Sequence, residues 1–245
     1  MAVQNIALDR QIAEAENLLR DIVRQHAPAA LASSFSAEDM ILLDMIAGAA
    51  PEIEVFTLDT GRLPEETYTL IAESRTHYDH PIRIYTPESK TLEAYMDRAG
   101  PNAFYASVAC RVECCAIRKL EPLRRALTGR KAWLTGQRQE QSVTRRSLAI
   151  AEWDEANSLH KFNPLAEWSR ADVWRYIGDR NVPYSPLYDR GYASIGCAPC
   201  TRPVTVGEDE RAGRWWWEEP EQKECGLHLP RPSPGKSETH PKGER

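Results

Sequence analysis

Residues 29–46, AALASSFSAEDMILLDMI, decide the fold. A short apolar run, Ala29–Ser33, breaks into the polar turn Ser34–Asp39, and a second apolar run, Met40–Ile46, follows. A strand, a tight turn and a buried helix satisfy that order. The same grammar recurs downstream. Glu54–Leu58 is a strand that ends in Asp59-Thr60-Gly61, followed by a helix over Pro64–His77 with proline in its first turn and Glu65 and Glu66 near its positive end. Ile82–Tyr85 and Ala132–Thr135 are further strands, stopped by Pro87 and Gly136. Upstream, Ile12, Leu18, Leu19, Ile22 and Val23 make one face of a helix over residues 8–26. Strands alternating with helices predict an α/β fold, a mostly parallel sheet with helices on both faces. Ligands of such sheets sit at the carboxyl ends of the strands, here at Ser34–Asp39, Asp59–Gly61 and Gly136–Arg146.

Beyond about Asn163 the pattern changes. A helix is expected over Arg170–Gly178, then a turn-rich stretch, VPYSPLYDRGYASIGCAPC, then a helix over GEDERAGRWWW. The last 17 residues are rich in proline and charge and are expected to be disordered. One domain over 1–224 and a mobile segment over 225–245, disordered after about 229, are the expected organisation.

The 245 residues carry a net charge of −5, with 42% apolar and 27% charged side chains, which excludes a fully disordered chain. The acidic balance argues against a general nucleic-acid binder. No apolar run approaches membrane-span length, and the N-terminus lacks the pattern of a secretory signal, so a cytoplasmic protein is expected.

Six cysteines need a chemical reason in a reducing compartment. Cys197 and Cys200 form a C-x-x-C in a turn-rich segment, a setting that suits a metal knuckle better than a redox dithiol. Cys114 and Cys115 supply a second pair. Four thiolates fit tetrahedral zinc or a four-iron cluster, and adjacent cysteines on a helix diverge, which favours the cluster. Cys110, one helical turn before Cys114, is expected to be a core thiol. Cys225, in Glu224-Cys225-Gly226-Leu227-His228, has no partner at metal spacing; it is either an idle thiol or a nucleophile.

Cations gather around these sites: Arg118 and Lys119 after the cysteine pair, Arg138, Arg145 and Arg146 after the fourth strand, and Arg211 and Arg214 before Cys225. With Gln137, Gln139, Gln141, Ser142 and Thr144 they suit a small polyanion. Ser34–Asp39 looks like an anion-binding turn before a helix, but it has neither a Walker A lysine nor the glycines of the loop that ATP pyrophosphatases use, which disfavours a triphosphate. Trp215, Trp216 and Trp217 are expected to pack rather than to stack on bases.

Taken together, SFSAEDMILLDMI, FTLDTGRLPEETY, CRVECCAIRKLEPL, WLTGQRQEQSVTR, FNPLAEWSRADVWRYI, GCAPCTRPV, GEDERAGRWWW and KECGLH resemble the assimilatory adenylyl-sulfate (APS) reductases, the iron–sulfur type of the PAPS/APS reductase family. The resemblance implies an adenine nucleotide α-hydrolase-like (PP-loop) fold and a cytoplasmic, thioredoxin-dependent oxidoreductase of sulfate assimilation and cysteine biosynthesis. It implies a 4Fe-4S cluster on Cys114, Cys115, Cys197 and Cys200. It implies Cys225 as the nucleophile that takes the sulfonyl group as S-sulfocysteine, with thioredoxin releasing sulfite. Lys119, Arg211, Arg214 and His228 would neutralise sulfate and phosphate oxygens. Gly136 and Arg146 would lie along the nucleotide, Leu58, Asp59 and Gly61 at the adenosine end, and Ser34 and Ser36 in the modified loop. PAPS is the alternative donor, and a homo-oligomer is expected by analogy. A non-enzymatic iron–sulfur sensor is a remoter alternative.

Overall fold

The structure is a computed structural model that describes residues 2–142 and 145–219. The expectations for Thr144, Cys225, His228 and the segment from 225 onward lie outside the described residues. Helix α1 (Ala2–His26) leads into β1 (Ala29–Ala32), α2 (Ala37–Ala49), β2 (Glu54–Leu58), α3 (Glu65–Tyr78) and β3 (Ile82–Tyr85). Next come α4 (Ser89–Ala99), α5 (Val108–Cys115) and α6 (Glu121–Leu127), the last two joined by a wide π-turn over Ala116–Leu120. Strands β4 (Ala132–Leu134), β5 (Ala151–Asp154) and β6 (Leu159–Phe162) and helix α7 (Arg170–Arg180) complete the regular elements.

The six strands lie in the order β3-β2-β1-β4-β6-β5, all parallel to their neighbours except the edge strand β5, which is antiparallel to β6. Strand alternation splits the core in two. Ala29, Leu31, Val55, Ala132 and Leu134 face α1, α2, α3 and α7, while Ala30, Phe56 and Trp133 pack on Leu123, Ala126 and Leu127 of α6. Both faces are therefore covered, as a parallel sheet requires. Helix α2 has no polar face to speak of: nine of its residues are buried, Glu38 and Asp39 among them.

The chain runs outward from β1 through β2 to β3, then returns to lay β4 on the other side of β1. The loops after β1 and β4 thus diverge at the carboxyl end of the sheet and open a crevice between them.

The helix expected over residues 207–217 is absent; the segment is a chain of turns. Its backbone is claimed by a distant partner. Arg214 pairs antiparallel with Thr201, the Arg202 N–H donates to Gly213 O (3.0 Å), and the Trp215 N–H donates to Cys200 O (3.1 Å). A Cβ on Gly213 would stand 2.3 Å from the Arg202 carbonyl oxygen, so the segment closes this tightly on the C-x-x-C loop only because residue 213 is glycine.

Candidate active site

A cleft of about 1310 Å³, counting its open mouth, lies over the β1/β4 crevice. The loop after β1 supplies Ser33, Ser34 and Ser36, the first turn of α2 supplies Glu38 and Asp39, and the loop after β4 supplies Thr135, Gly136, Gln137 and Gln141. Ser194–Cys197, Glu210, Arg211, Arg214 and Trp215 close the far side, with Lys119 and Arg145 adding charge. Ala32, Leu58, Leu123 and Trp133 make an apolar end.

The loop after β1 holds its shape without glycine. Phe35 takes the left-handed backbone (φ 60°), a conformation that costs about 1–2 kcal/mol for a residue with a Cβ, and its ring is buried in the main core. The Asp39 carboxylate accepts from the Ser34 N–H (2.6 Å), the Ser34 hydroxyl (2.7 Å) and, across the cleft floor, the Gly136 N–H (3.1 Å). Burial pushes the Asp39 carboxyl up to about 6 even though the Ser34 bonds pull it down. The first turn of α2 receives another tie, because the Ala37 N–H donates to the Tyr188 hydroxyl (2.9 Å). Neighbouring Glu38 turns the other way and accepts from Arg138 Nε at 2.8 Å, both side chains buried. Arg138 is thus a structural cation and not one of the anion-binding set that its loop suggests.

Gly136 is where the two loops touch. A Cβ there would lie 2.5 Å from Asp39 Oδ1, 2.9 Å from Glu38 Cβ and 3.0 Å from the Asp39 nitrogen. Gly136→Ala is therefore expected to force the loops apart and lower stability by about 1–3 kcal/mol, seen as a lower denaturation midpoint at unchanged slope.

Cys114, Cys115, Cys197 and Cys200 line one small cavity of about 360 Å³, its open mouth included, beside the cleft, and none of the four is in a disulfide among the described residues. Arg62, Arg111, Arg118, Lys119, Phe104, Pro199 and Trp215 complete its wall. Cys115 reaches it from the end of α5, just where the π-turn begins, and Cys197 from the loop behind Gly196. Among the described residues no three His, Cys, Asp or Glu side chains gather closely enough to hold a single metal ion; the four thiols surround a volume instead. That donor set, soft and ringed by cations, fits a polynuclear iron–sulfur group.

Burial works against the Cys197 thiolate, yet Lys119, the Thr60 hydroxyl at 3.2 Å, Arg214 and Arg118 together bring its pKa below the ordinary thiol value. Burial and the neighbouring Cys197 push Cys200 up to about 12. Arg118 is held by Thr60 O (2.6 Å), which leaves Lys119 to face both cavities. Arg111 forms a buried two-point ion pair with Glu218 (3.0 and 2.7 Å) and lies 4.7 Å from the Trp215 ring. Arg214 donates to Ile195 O (2.9 Å) and lies flat on Gly196, where a Cβ would come within 2.3 Å of its guanidinium.

Of the residues expected to bind substrate, Ser34, Ser36, Leu58, Lys119, Gly136, Arg211 and Arg214 line this one cleft. Asp59, Gly61 and Arg146 do not line it. Asp59 instead accepts from the Gly61 N–H (2.8 Å) and the Tyr68 hydroxyl (2.7 Å), and Arg146 is exposed while its neighbour Arg145 lines the cleft. Cys110, expected as a core thiol, is partly exposed, and its N–H donates to the Ser107 hydroxyl. Trp215 is buried against the cysteines, whereas Trp216 is 49% exposed. Glu210 lines the cleft without a signal in the sequence beyond its acid character in a basic neighbourhood, and Asp39 belongs to the expected turn but ties its two loops together rather than meeting an anion.

Residues 28–203 match the phosphoadenosine phosphosulfate reductase domain. The chain belongs to the phosphoadenosine phosphosulfate reductase family. Within it, the chain is 52% identical over 233 residues to the adenosine 5'-phosphosulfate reductase of Allochromatium vinosum, covering 95% of this chain and 91% of that protein. It is 53% identical over 211 residues to the protein of the same name from Neisseria meningitidis serogroup B, 86% of each chain. A phosphoadenylyl-sulfate reductase structure from Candida auris, in a phosphate complex, superposes with a TM-score of 0.67 at 28% identity, over 80% of this chain and 96% of that one. The FMN adenylyltransferase of Candida glabrata superposes at 0.60 with 15% identity, over 89% of this chain and 77% of that one. That second likeness is one of fold alone. Among the described residues, no helix is long and apolar enough to cross a membrane.

Proposed function

We propose that this reductase converts APS to sulfite and AMP in assimilatory sulfate reduction, with Cys225 as the nucleophile and a thioredoxin as the electron donor. One observation carries the reading: a four-cysteine cavity and a cation-lined cleft at the switch point of the sheet share Lys119, Cys197 and Trp215 as common wall. Relatives bearing the APS reductase name at above 50% identity over most of the chain support it.

APS carries a phosphosulfate anhydride. The apolar end of the cleft suits a planar base, and Lys119, Arg145, Arg211 and Arg214 offset the charge of phosphate and sulfate oxygens so that a thiolate can approach sulfur. The Cys225 thiolate attacks that sulfur, the S–O anhydride bond breaks, and AMP leaves with the bonding pair. A thioredoxin thiolate then attacks Cys225 Sγ and expels sulfite, and its second thiol resolves the mixed disulfide. Thioredoxin ends oxidised and Cys225 reduced. Cys114, Cys115, Cys197 and Cys200 would hold a 4Fe-4S cluster, which supplies local electrostatic organisation. Lys119, between the two cavities, is the residue placed to relay that organisation to the substrate side. His228 adds a donor near Cys225. A homo-oligomeric, cytoplasmic enzyme completes the proposal.

Mixing protein with APS in the absence of reductant is expected to leave an SO3 adduct on Cys225, found by peptide mass spectrometry. An unmodified Cys225 in iron-replete protein overturns the mechanism. PAPS, favoured as a second donor by the likeness to the Candida auris enzyme, is run beside APS in the same experiment.

A further inference from the structure

Arg138 sits at the centre of a charge cluster behind the cleft wall, which Glu38 and Glu210 line. Its Nε donates to Glu38, its Nη2 lies 3.4 Å from Glu210 Oε1, and its Nη1 lies 3.4 Å from Glu140 Oε2 and 3.3 Å from Trp168 O. The Arg138 and Glu38 side chains are 1% and 6% exposed, Glu210 is 19% exposed, and Glu140 is open to solvent. Glu38 and Glu210 therefore share the Arg138 guanidinium, Glu38 by the shorter contact, and Glu210 lines the cleft next to Arg211. A group in that position must face whatever anion the arginines attract.

We propose that Glu210 takes up a proton when the anionic nucleotide binds and serves in the complex as a neutral hydrogen-bond donor. The proposal rests on the APS reading above and extends it to the proton inventory of binding.

The surroundings fit. Glu38 from α2 and Asp209 from the same segment disfavour a charged Glu210, while Arg138 and Arg170 favour it; Asp39, Glu140 and Arg211 stand nearby, and Tyr188 faces it as a neutral phenol. Burial and Glu38 outweigh the arginines and push Glu210 up to about 7 in the free protein. The two negative charges of incoming APS act in the same sense as Glu38. The chemical advantage is that a neutral acid can donate to a phosphate or sulfate oxygen where a carboxylate would repel it. The consequence is that binding becomes linked to pH: above about pH 7, affinity for APS falls by roughly tenfold per pH unit, the slope of one proton.

The test uses the full-length, cluster-loaded Cys225→Ser protein, so that APS binds without reacting. Calorimetric titration with APS at pH 8, in buffers of different ionisation heat, is expected to show uptake of about one proton, which a further Glu210→Gln substitution removes. APS is the right probe because neither acidic group of its anhydride titrates near neutrality. Difference infrared spectra on binding should show a new protonated-carboxyl band in the parent that is missing from the Gln form. This second readout stands even if the variant folds poorly, because the parent band alone must appear. APS binding without proton uptake, or uptake that survives Glu210→Gln, overturns the proposal. Failure of APS to bind at all overturns the functional reading instead.

Discussion

Cys225→Ser is expected to cut sulfite release from APS by at least about a thousandfold while leaving iron content, visible absorbance and APS affinity as they are. A serine hydroxyl has much the same size and donor capacity as the thiol, but it is almost wholly protonated at neutral pH and is a poor nucleophile toward sulfur. Apart from His228, the groups that bind the nucleotide in the proposal come from the sheet loops, from Lys119 and from the 207–218 segment, all of which end before Cys225. Binding and chemistry should therefore separate cleanly. The measurements are thioredoxin-coupled sulfite release, equilibrium titration with APS and an absorbance scan of the same preparation. Retention of full turnover sinks the mechanism. Loss of APS affinity together with turnover would mean that Cys225 belongs to the binding surface rather than to the reaction.

Cys197→Ala should be the most damaging change within the described structure. Cys197 is one of four thiols around the small cavity, and it also lines the cleft. Its backbone anchors the C-x-x-C loop: the Cys197 carbonyl accepts from the Cys200 N–H (2.9 Å) and the Thr201 hydroxyl (2.9 Å), and the neighbouring Ala198 N–H reaches Arg62 O (2.8 Å). Those backbone bonds survive the substitution, so the loop keeps its course while the donor set drops from four sulfurs to three. Loss of bound iron and of brown colour is expected, with turnover down by about a hundredfold or more and a melting temperature lower by several degrees, because cluster binding is folding free energy. Iron assay and thermal denaturation on anaerobically prepared protein decide it. Normal iron content in the variant overturns the ligand assignment.

Much of the fold was legible because its central strands are short apolar runs that are largely buried and its edge strand β3 still alternates apolar with polar residues. Ala29–Ala32, Glu54–Leu58 and Ile82–Tyr85 each stand where the run stops at a polar turn. The β5–β6 hairpin escaped notice for the opposite reason. Its edge strand, Ala151–Asp154, is mostly exposed, so its residues carry no burial pattern, and its pairing is set by a partner strand across a turn. The segment 207–217 misled because charged residues and tryptophans at mixed spacing imitate an amphipathic helix. What settles its shape is the reach of Trp215 and Gly213 to Cys200 and Arg202, contacts that no local window contains.

The site divides the same way. Thiol pairing and the concentration of cations were visible as residue types, and the fold brings the four cysteines to one cavity and seven of the expected binding residues to one cleft. Which cations are spoken for was not visible. Arg138 is bound to Glu38, a hundred residues earlier, Arg118 to the carbonyl of Thr60 and Arg111 to Glu218, while Arg145 rather than Arg146 turns inward. Such pairings depend on which side chains the sheet order brings together.

The bend after β1 also bears on engineering. Its outline is staked by Asp39 against Gly136, by Glu38 against Arg138 and by the packed ring of Phe35, with no flexible link to absorb an error. A glycine-bearing phosphate loop transplanted from a distant nucleotide enzyme would arrive with the wrong stakes. Chimeras at this position should succeed only when donor and recipient exchange both loops together, so the pair, rather than either alone, is the unit that can be inherited or swapped.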